Sequence, residues 1–231
     1  MSTKYVLITG ASGGLGKSLA EIFAHKGYNL ILTARNKSAL ECINAYSIPR
    51  NIQSLIVEGD LRDSEVITQL AREANQVNLE ILINNAAINI RKNFEEAEDF
   101  EIDEILGTNL IAPMKLTRAI YPIFLRNKQG TIVNINSMDV LKITSDSKTL
   151  YAPTKFGLRG FTDSLRYEAK PRGIRVIGIY IGGMKTSMFS TPSGDPDKLI
   201  QPNEAAEVIF DACKSYKSVC AEEIFLGRTI Y

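Results

Sequence analysis

The most constraining feature of this chain is an alternation. Apolar, β-rich runs recur at 5–9, 30–33, 54–57, 81–84, 131–135 and 175–181, with a weaker last one at 223–226. Most are continuously apolar, as expected of strands buried on both faces of a parallel sheet. Helical patterns lie between them. Leu15, Leu19, Ile22 and Phe23 repeat at i, i+4, i+7 and i+8, which lays one apolar stripe along a helix. Residues 64–76, 101–126, 153–169 and 203–214 also read as helices. The alternation predicts a doubly wound α/β sheet. Ligands of such sheets bind beyond the carboxyl ends of the strands, so function is expected there.

Composition narrows the chemistry. A length of 231 residues corresponds to about one and a half domains as a prior. A net charge of +1 gives no warrant for a polyanion, so nucleic acid is not an expected partner. His25 is the only histidine. Multi-His metal sites are therefore excluded, and no metal site is expected. His25 stands at the end of a predicted helix, where an imidazole suits the dipole. Cys42, Cys213 and Cys220 are odd in number and match no zinc spacing, which fits a reducing, cytoplasmic setting. No signal peptide or membrane span is visible, because the run at 5–9 is short and enters a glycine turn. Acid–base work then falls to Ser, Tyr, Lys, Asn and carboxylates.

The first strand end is rich in glycine: Thr9, Gly10, Ala11, Ser12, Gly13, Gly14, Leu15, Gly16. Gly10 allows a sharp turn, Gly14 leaves room for a pyrophosphate at backbone N–H groups, and Gly16 lets the helix approach the sheet. The bland alternative is an ordinary glycine turn. A P-loop would need glycine where Ala11 stands. The second strand ends in Thr33, Ala34, Arg35 and Asn36. It offers no carboxylate for a ribose 2′-OH and one guanidinium for a 2′-phosphate, which favours NADP(H) and leaves NAD(H) as the alternative. A solvated Arg35 is the bland reading. After the third strand, Asp60 beside Leu61 either accepts from an adenine amino group or caps the helix near Ser64.

Tyr151 and Lys155 stand at i and i+4 on one helical face. An ammonium beside a phenol favours the phenolate, so the Tyr151 pKa is expected to fall from its usual ~10. Such a phenol can exchange a proton with a carbonyl or alcohol oxygen. Ser137 ends the fifth strand, where its hydroxyl could bond the same oxygen.

Taken together, the segment from Thr9 to Gly16, the run Asn84, Asn85, Ala86, Ala87, then Asn109, Ser137, Tyr151 and Lys155 resemble the short-chain dehydrogenase/reductase family in its simple single-domain branch. The likeness runs from about Lys4 to Leu226. It implies one Rossmann-type domain over 1–231 with a seven-stranded parallel sheet and helices on both faces. It implies an NADP(H)-dependent carbonyl/alcohol oxidoreductase acting on a small molecule. Tyr151 is then the acid/base, Ser137 orients the carbonyl, Lys155 holds the nicotinamide ribose, and Asn109 anchors a water in the proton relay. Gly10, Ser12, Gly13, Gly14, Leu15, Gly16, Arg35, Asn36, Asp60, Leu61, Asn85, Ala86, Ala87, Gly182 and Thr186 would lie along the cofactor. A homodimer or homotetramer through 101–126 and 153–169 is a further family expectation. The rival reading is a non-catalytic dinucleotide-binding module on the same fold.

Three departures from the family pattern bear on the site. Ala87 replaces a glycine, which is tolerable at negative φ. Ser137 and Tyr151 stand 14 apart, one more than usual, so the segment 141–150 must absorb a residue. Ile181 precedes Gly182 where the family has Pro-Gly. The substrate pocket is expected between the loop after Ser137, residues 89–94, and a substrate loop at about 187–202, with Met184, Met188 and Phe189 as apolar lining.

Overall fold

The computed structural model describes residues 3–47, 51–143, 146–186, 199–214 and 219–228. Its core is one seven-stranded sheet. The strands are β1 (Tyr5–Thr9), β2 (Asn29–Ala34), β3 (Ser54–Glu58), β4 (Leu79–Asn84), β5 (Gly130–Ser137), β6 (Ile174–Ile181) and β7 (Glu223–Leu226). Every pairing is parallel, and the spatial order is β3-β2-β1-β4-β5-β6-β7. The chain winds outward from β1 to β3, then crosses to β4 and winds the other way. The strand order therefore reverses between β1 and β4, and their carboxyl ends frame the crevice where doubly wound sheets bind ligands.

Strand burial explains the continuous apolar runs. All residues of β1 and β2 are buried. Val6 and Ile8 face one core, packed with Leu19 and Phe23 of α1 (Gly14–His25) and Ile209 of α7 (Pro202–Cys213). Tyr5 and Leu7 face the other, packed with Leu70 of α3 (Ser64–Asn75) and Leu116, Ile120 and Phe124 of α5 (Ala112–Asn127). The remaining helices are α2 (Lys37–Ser47), α4 (Asp99–Leu106) and α6 (Tyr151–Ala169).

Three local features depart from the sequence pattern. The helix α2 was not anticipated, since its buried stripe reduces to Leu40 and Ile43. The helix expected over 101–126 is interrupted by a π-helical turn, Gly107–Ile111, between α4 and α5. α6 starts at Tyr151, two residues before the predicted start, because Pro153 in a first turn lacks only an N–H that has no helical partner there.

No helix among the described residues is long and apolar enough to cross a membrane. Residues 187–198 lie outside the described residues, and with them most of the expected substrate loop, including Met188 and Phe189. The stretches on either side meet in a bridge between Met184 and Ile200, where Lys185 N–H donates to the Ile200 carbonyl at 3.0 Å.

Candidate active site

The end of β1 turns on Gly10 at φ +64, where a Cβ would come within 2.8 Å of Ala86 Cα. A Cβ on Gly16 would approach the Gly10 carbonyl oxygen to 2.1 Å. α1 therefore enters the sheet as closely as the sequence predicted. Its first intrahelical bond runs from Lys17 N–H to the Gly13 carbonyl, so the N–H groups of Gly14, Leu15 and Gly16 precede the ladder and suit an anion. Gly13 has open space around it, and Thr186 lies over Gly14. Ser12 is half-buried beside this cradle. The Leu15 side chain is in the core, which leaves its backbone for any ligand.

Thr9 and Asn85 tie the two strand ends together. The Thr9 hydroxyl accepts from the N–H groups of Asn85 (2.9 Å) and Ala86 (3.0 Å), and Asn85 Nδ2 donates to the carbonyls of Thr9 (2.8 Å) and Gly10 (3.3 Å). The Asn85 side chain thus shapes the cradle from below. Ala87 is not among the residues with positive φ, so its methyl is accommodated. Gly182 closes against β7, its N–H donating to the Leu226 carbonyl at 2.9 Å.

At the end of β2, Arg35 is exposed, and Asn36 Oδ1 accepts from Ala39 N–H at 3.1 Å. Asn36 therefore occupies the cap of α2. Asp60 is not the cap of α3. Asp63 is, accepting from Glu65 N–H at 2.8 Å. Asp60 is instead gripped by Arg62 through bonds of 3.1, 3.1 and 2.7 Å. This pairing is the main cause that holds the Asp60 carboxyl below the usual carboxylate range, with Arg35 adding a smaller pull. Leu61 is buried in the second core.

β5 and α6 are stitched together at the centre. Lys155 Nζ donates to the Ile135 carbonyl at 3.0 Å, Asn136 Nδ2 to the Lys155 carbonyl at 3.2 Å, and Ser137 N–H to Asn136 Oδ1 at 2.8 Å. The Ser137 hydroxyl accepts from Asp139 N–H at 3.1 Å and lies near enough to Tyr151 to favour its ionised form. The one-residue lengthening between Ser137 and Tyr151 leaves the two residues as neighbours. Asn109, buried in the π turn, accepts from Ile88 N–H at 2.8 Å and donates to the Ile88 carbonyl at 2.9 Å and to the Thr154 hydroxyl at 3.2 Å. Thr154 in turn donates to the Tyr151 carbonyl at 2.7 Å. The sequence motifs include Thr9 but give it no role, and they give none to Asn136 or Thr154. Each had a signal only in its position, at a strand end or three residues after Tyr151.

The electrostatics correct one expectation. The chain's own groups push the Tyr151 hydroxyl up from its ordinary value, not down. Burial is the main cause and the Asp139 carboxylate the next, while Ser137 and the Arg91 guanidinium pull the other way. Lys155 Nζ sits 5.6 Å from the Tyr151 ring centroid. Burial brings its own pKa down to about 8, which weakens it as a fixed positive charge.

Comparison with known proteins finds similarity along nearly the whole chain. A family model described as short chain dehydrogenase matches residues 4–196. An uncharacterized oxidoreductase of Staphylococcus saprophyticus is 29% identical, over 97% of each chain. Among solved structures, an alcohol dehydrogenase of the archaeon Thermococcus sibiricus, complexed with 5-hydroxy-NADP, has a TM-score of 0.88 at 25% identity, covering 99% of this chain and 100% of its own. A short-chain dehydrogenase of Sphingobium yanoikuyae in complex with NADPH has a TM-score of 0.85 at 25% identity, covering 96% of this chain and 87% of its own.

Proposed function

Because the chain belongs to the short-chain dehydrogenase family, we propose that it is an NADP(H)-dependent oxidoreductase that interconverts a carbonyl and a secondary alcohol on a small molecule. The observation that carries this reading is the convergence of Ser137, Tyr151 and Lys155 at the end of β5, with Lys155 Nζ 5.6 Å from the Tyr151 ring centroid and Ser137 near enough to act on the Tyr151 hydroxyl.

The cradle fits a dinucleotide. Gly13 and Gly14 leave the start of α1 uncovered by their own side chains, and the N–H groups there suit a pyrophosphate. Arg35 is exposed at the end of β2 without a carboxylate at that position, which supports a 2′-phosphate and so NADP(H) over NAD(H). The NADP and NADPH complexes of the Thermococcus and Sphingobium proteins support the same choice. The nicotinamide, when bound, donates or accepts the hydride.

The chain's residues do the rest. Ser137 bonds the substrate oxygen and orients it. Tyr151 gives that oxygen a proton in reduction and takes it back in oxidation. Lys155 holds the ribose hydroxyls. Asn109 fixes the segment after β4 against α6 and anchors the proton path towards Lys155. Asn85 and Thr9 set the strand ends that face the cofactor. One domain carries both ligands, and the free thiols of Cys42, Cys213 and Cys220 support a cytoplasmic setting.

The test is to measure NADPH and NADH binding separately, then to follow loss of NADPH absorbance across a panel of ketones and aldehydes. Tight NADPH binding with turnover on at least one carbonyl supports the reading. Binding with no turnover on a broad panel favours the non-catalytic module.

A further inference from the structure

Between Ser137 and Tyr151 stand two charged residues, Asp139 and Lys148, to which the proposed reaction assigns no role. The chain leaves β5 through the 3-10 turn Met138–Val140 and returns through Lys148 into α6. Asp139 and Lys148 close this segment with an ion pair between Oδ1 and Nζ. Both side chains are largely withdrawn from water, at 10% and 14% exposed respectively. Asp139 is also joined through its backbone to Ser137, and Lys148 to the first turn of α6 at Ala152. Asp139 N–H donates to Ser137 Oγ at 3.1 Å. The Lys148 carbonyl accepts from Ala152 N–H at 2.8 Å, in the turn that begins α6 with Tyr151.

A buried ion pair is weak as a stability device, because desolvation offsets most of the attraction and an apolar pair would do as well. This one is placed to do something else. We propose that Asp139 and Lys148 are positioning residues, whose ion pair clasps the turn after Ser137 to the first turn of α6 and so holds Ser137 and Tyr151 as neighbours.

The inference rests on the reading of Ser137 and Tyr151 as the reacting pair. It adds an electrostatic consequence. Among the described residues, the charged and polar groups at Tyr151 come from four elements: Asp139 from the 3-10 turn, Ser137 from β5, Arg91 from the segment after β4, and Lys155 from α6 over the ring. Asp139 supplies the negative charge among them, and its carboxylate adds to burial, the larger cause, in favouring the protonated Tyr151. Lys148 keeps that carboxylate in place.

The experiment follows Tyr151 directly. Tyrosine labelled with ¹³C at Cζ is titrated by NMR in the full chain, with and without NADP⁺, and Tyr151→Phe assigns the resonance. Asp139→Asn is expected to start Tyr151 ionisation at least about one pH unit lower, tenfold in proton affinity. Lys148→Gln, which keeps the carboxylate, is expected to show no such fall, and the double variant D139N/K148Q should behave as D139N does. On any carbonyl that turns over, each single variant should lose about tenfold in kcat with NADPH affinity within twofold of wild type. The double should lose no more than the worse single, as two residues acting as a unit do. If D139N does not fold, the double leaves no unpaired charge and carries the comparison. A Tyr151 resonance that titrates at the same pH in wild type and in D139N, or in the double, overturns the proposal. A Lys148→Gln variant that keeps wild-type kcat also overturns it, because the pair then does not hold the two residues; a wild-type protein with no turnover on any carbonyl counts against the oxidoreductase reading instead.

Discussion

The Lys155 ammonium donates to the Ile135 carbonyl at 3.0 Å while lying 5.6 Å from the centroid of the Tyr151 ring. One side chain therefore ties β5 to α6 and faces the phenol. Its burial has a consequence for stability. With a pKa brought down from 10.5 to about 8, Lys155 binds its proton less tightly in the folded chain than in the unfolded one. Between those two values the unfolded chain holds more protons, so stability rises with pH across the window. Below pH 8 the cost is present in full, on the order of 3 kcal/mol at most. Lys155→Met should remove it, offset by about 1 kcal/mol for the Ile135 carbonyl left without a donor. Urea melts at pH 7 and pH 9.5 check this. Wild type should gain stability between them, the variant should gain less, and a variant less stable than wild type at pH 7 would contradict the account.

Tyr151→Phe removes the proposed acid/base and leaves the ring. Turnover should fall by at least ~100-fold, with NADPH affinity nearly unchanged. The pH profile carries a sign as well. Burial and Asp139 raise the Tyr151 hydroxyl, so in the chain alone the proton-donating form persists far into alkaline pH. Carbonyl reduction should then keep its rate at alkaline pH up to the point where the cofactor or the fold fails. Alcohol oxidation should still be climbing there, because it needs the phenolate. Steady-state rates in both directions from pH 6 to 10 decide it. An oxidation rate that is flat from pH 6 upward would show that bound cofactor has brought Tyr151 down by several units.

Much of this was written in local pattern. Strand runs such as 5–9 matched β1 residue for residue, since continuous apolar stretches between glycine turns have few alternatives in a parallel sheet. The glycine cradle was equally legible, because Gly10 and Gly16 are demanded by backbone approach within one turn of chain. α2 was not, because Leu40 and Ile43 make too short a stripe to show a period. The π turn at Asn109 and the bond from Asn109 to Thr154 join residues distant in sequence, and no spacing rule reaches them. Asp60 was ambiguous for a similar reason. Asp63 is the α3 cap, and Arg62 rather than the helix takes the Asp60 carboxylate. The Tyr151 direction in the chain alone differs from the expectation because i, i+4 spacing reports the neighbour and not the depth of burial, and burial is the largest cause here.

Arg35 is exposed where β2 ends, and its charge already reaches Asp60. Arg35→Ala should weaken NADPH binding by at least ~10-fold, about 1.4 kcal/mol or more, and leave NADH binding within twofold. Fluorescence titration with the two cofactors reads the ratio. Equal losses for both would assign Arg35 to the fold and not to the 2′-phosphate.

The helical layer formed by α4, the π turn, α5 and α6 exposes Phe100, Ile111, Met114 and Phe156, with Phe100 at 60% and Phe156 at 48%. Apolar side chains this open, on the helices where the family resemblance leads one to expect assembly, support a homodimer or homotetramer. Light scattering should give a mass of at least two chains, and the double substitution Ile111→Glu with Phe156→Glu should reduce it to one without loss of helical content. A wild-type monomer at micromolar concentration would remove the expectation.

Asn109 offers a sharper test of architecture against chemistry. Its amide treats Ile88 as a strand partner would, accepting from the N–H at 2.8 Å and donating to the carbonyl at 2.9 Å, and it reaches Thr154 at 3.2 Å. The Asn109 side chain is 1% exposed, its bond to Thr154 is buried, and its two bonds to Ile88 are partly buried. Asn109→Ala should cost roughly 2–5 kcal/mol, the desolvation of partners left unpaired. Asn109→Asp keeps the acceptor for the Ile88 N–H but turns an oxygen towards the Ile88 carbonyl and buries a charge. It should therefore be no more stable than the alanine variant near neutral pH, despite its shape. Because Thr154 passes the contact on to the Tyr151 carbonyl at 2.7 Å, kcat should fall in both variants even at temperatures where each is fully folded. Thermal melts and turnover measured on the same samples separate the two effects. An Asn109→Asp protein as stable and as active as wild type would mean that the amide donor is dispensable and that the segment after β4 is held by other means.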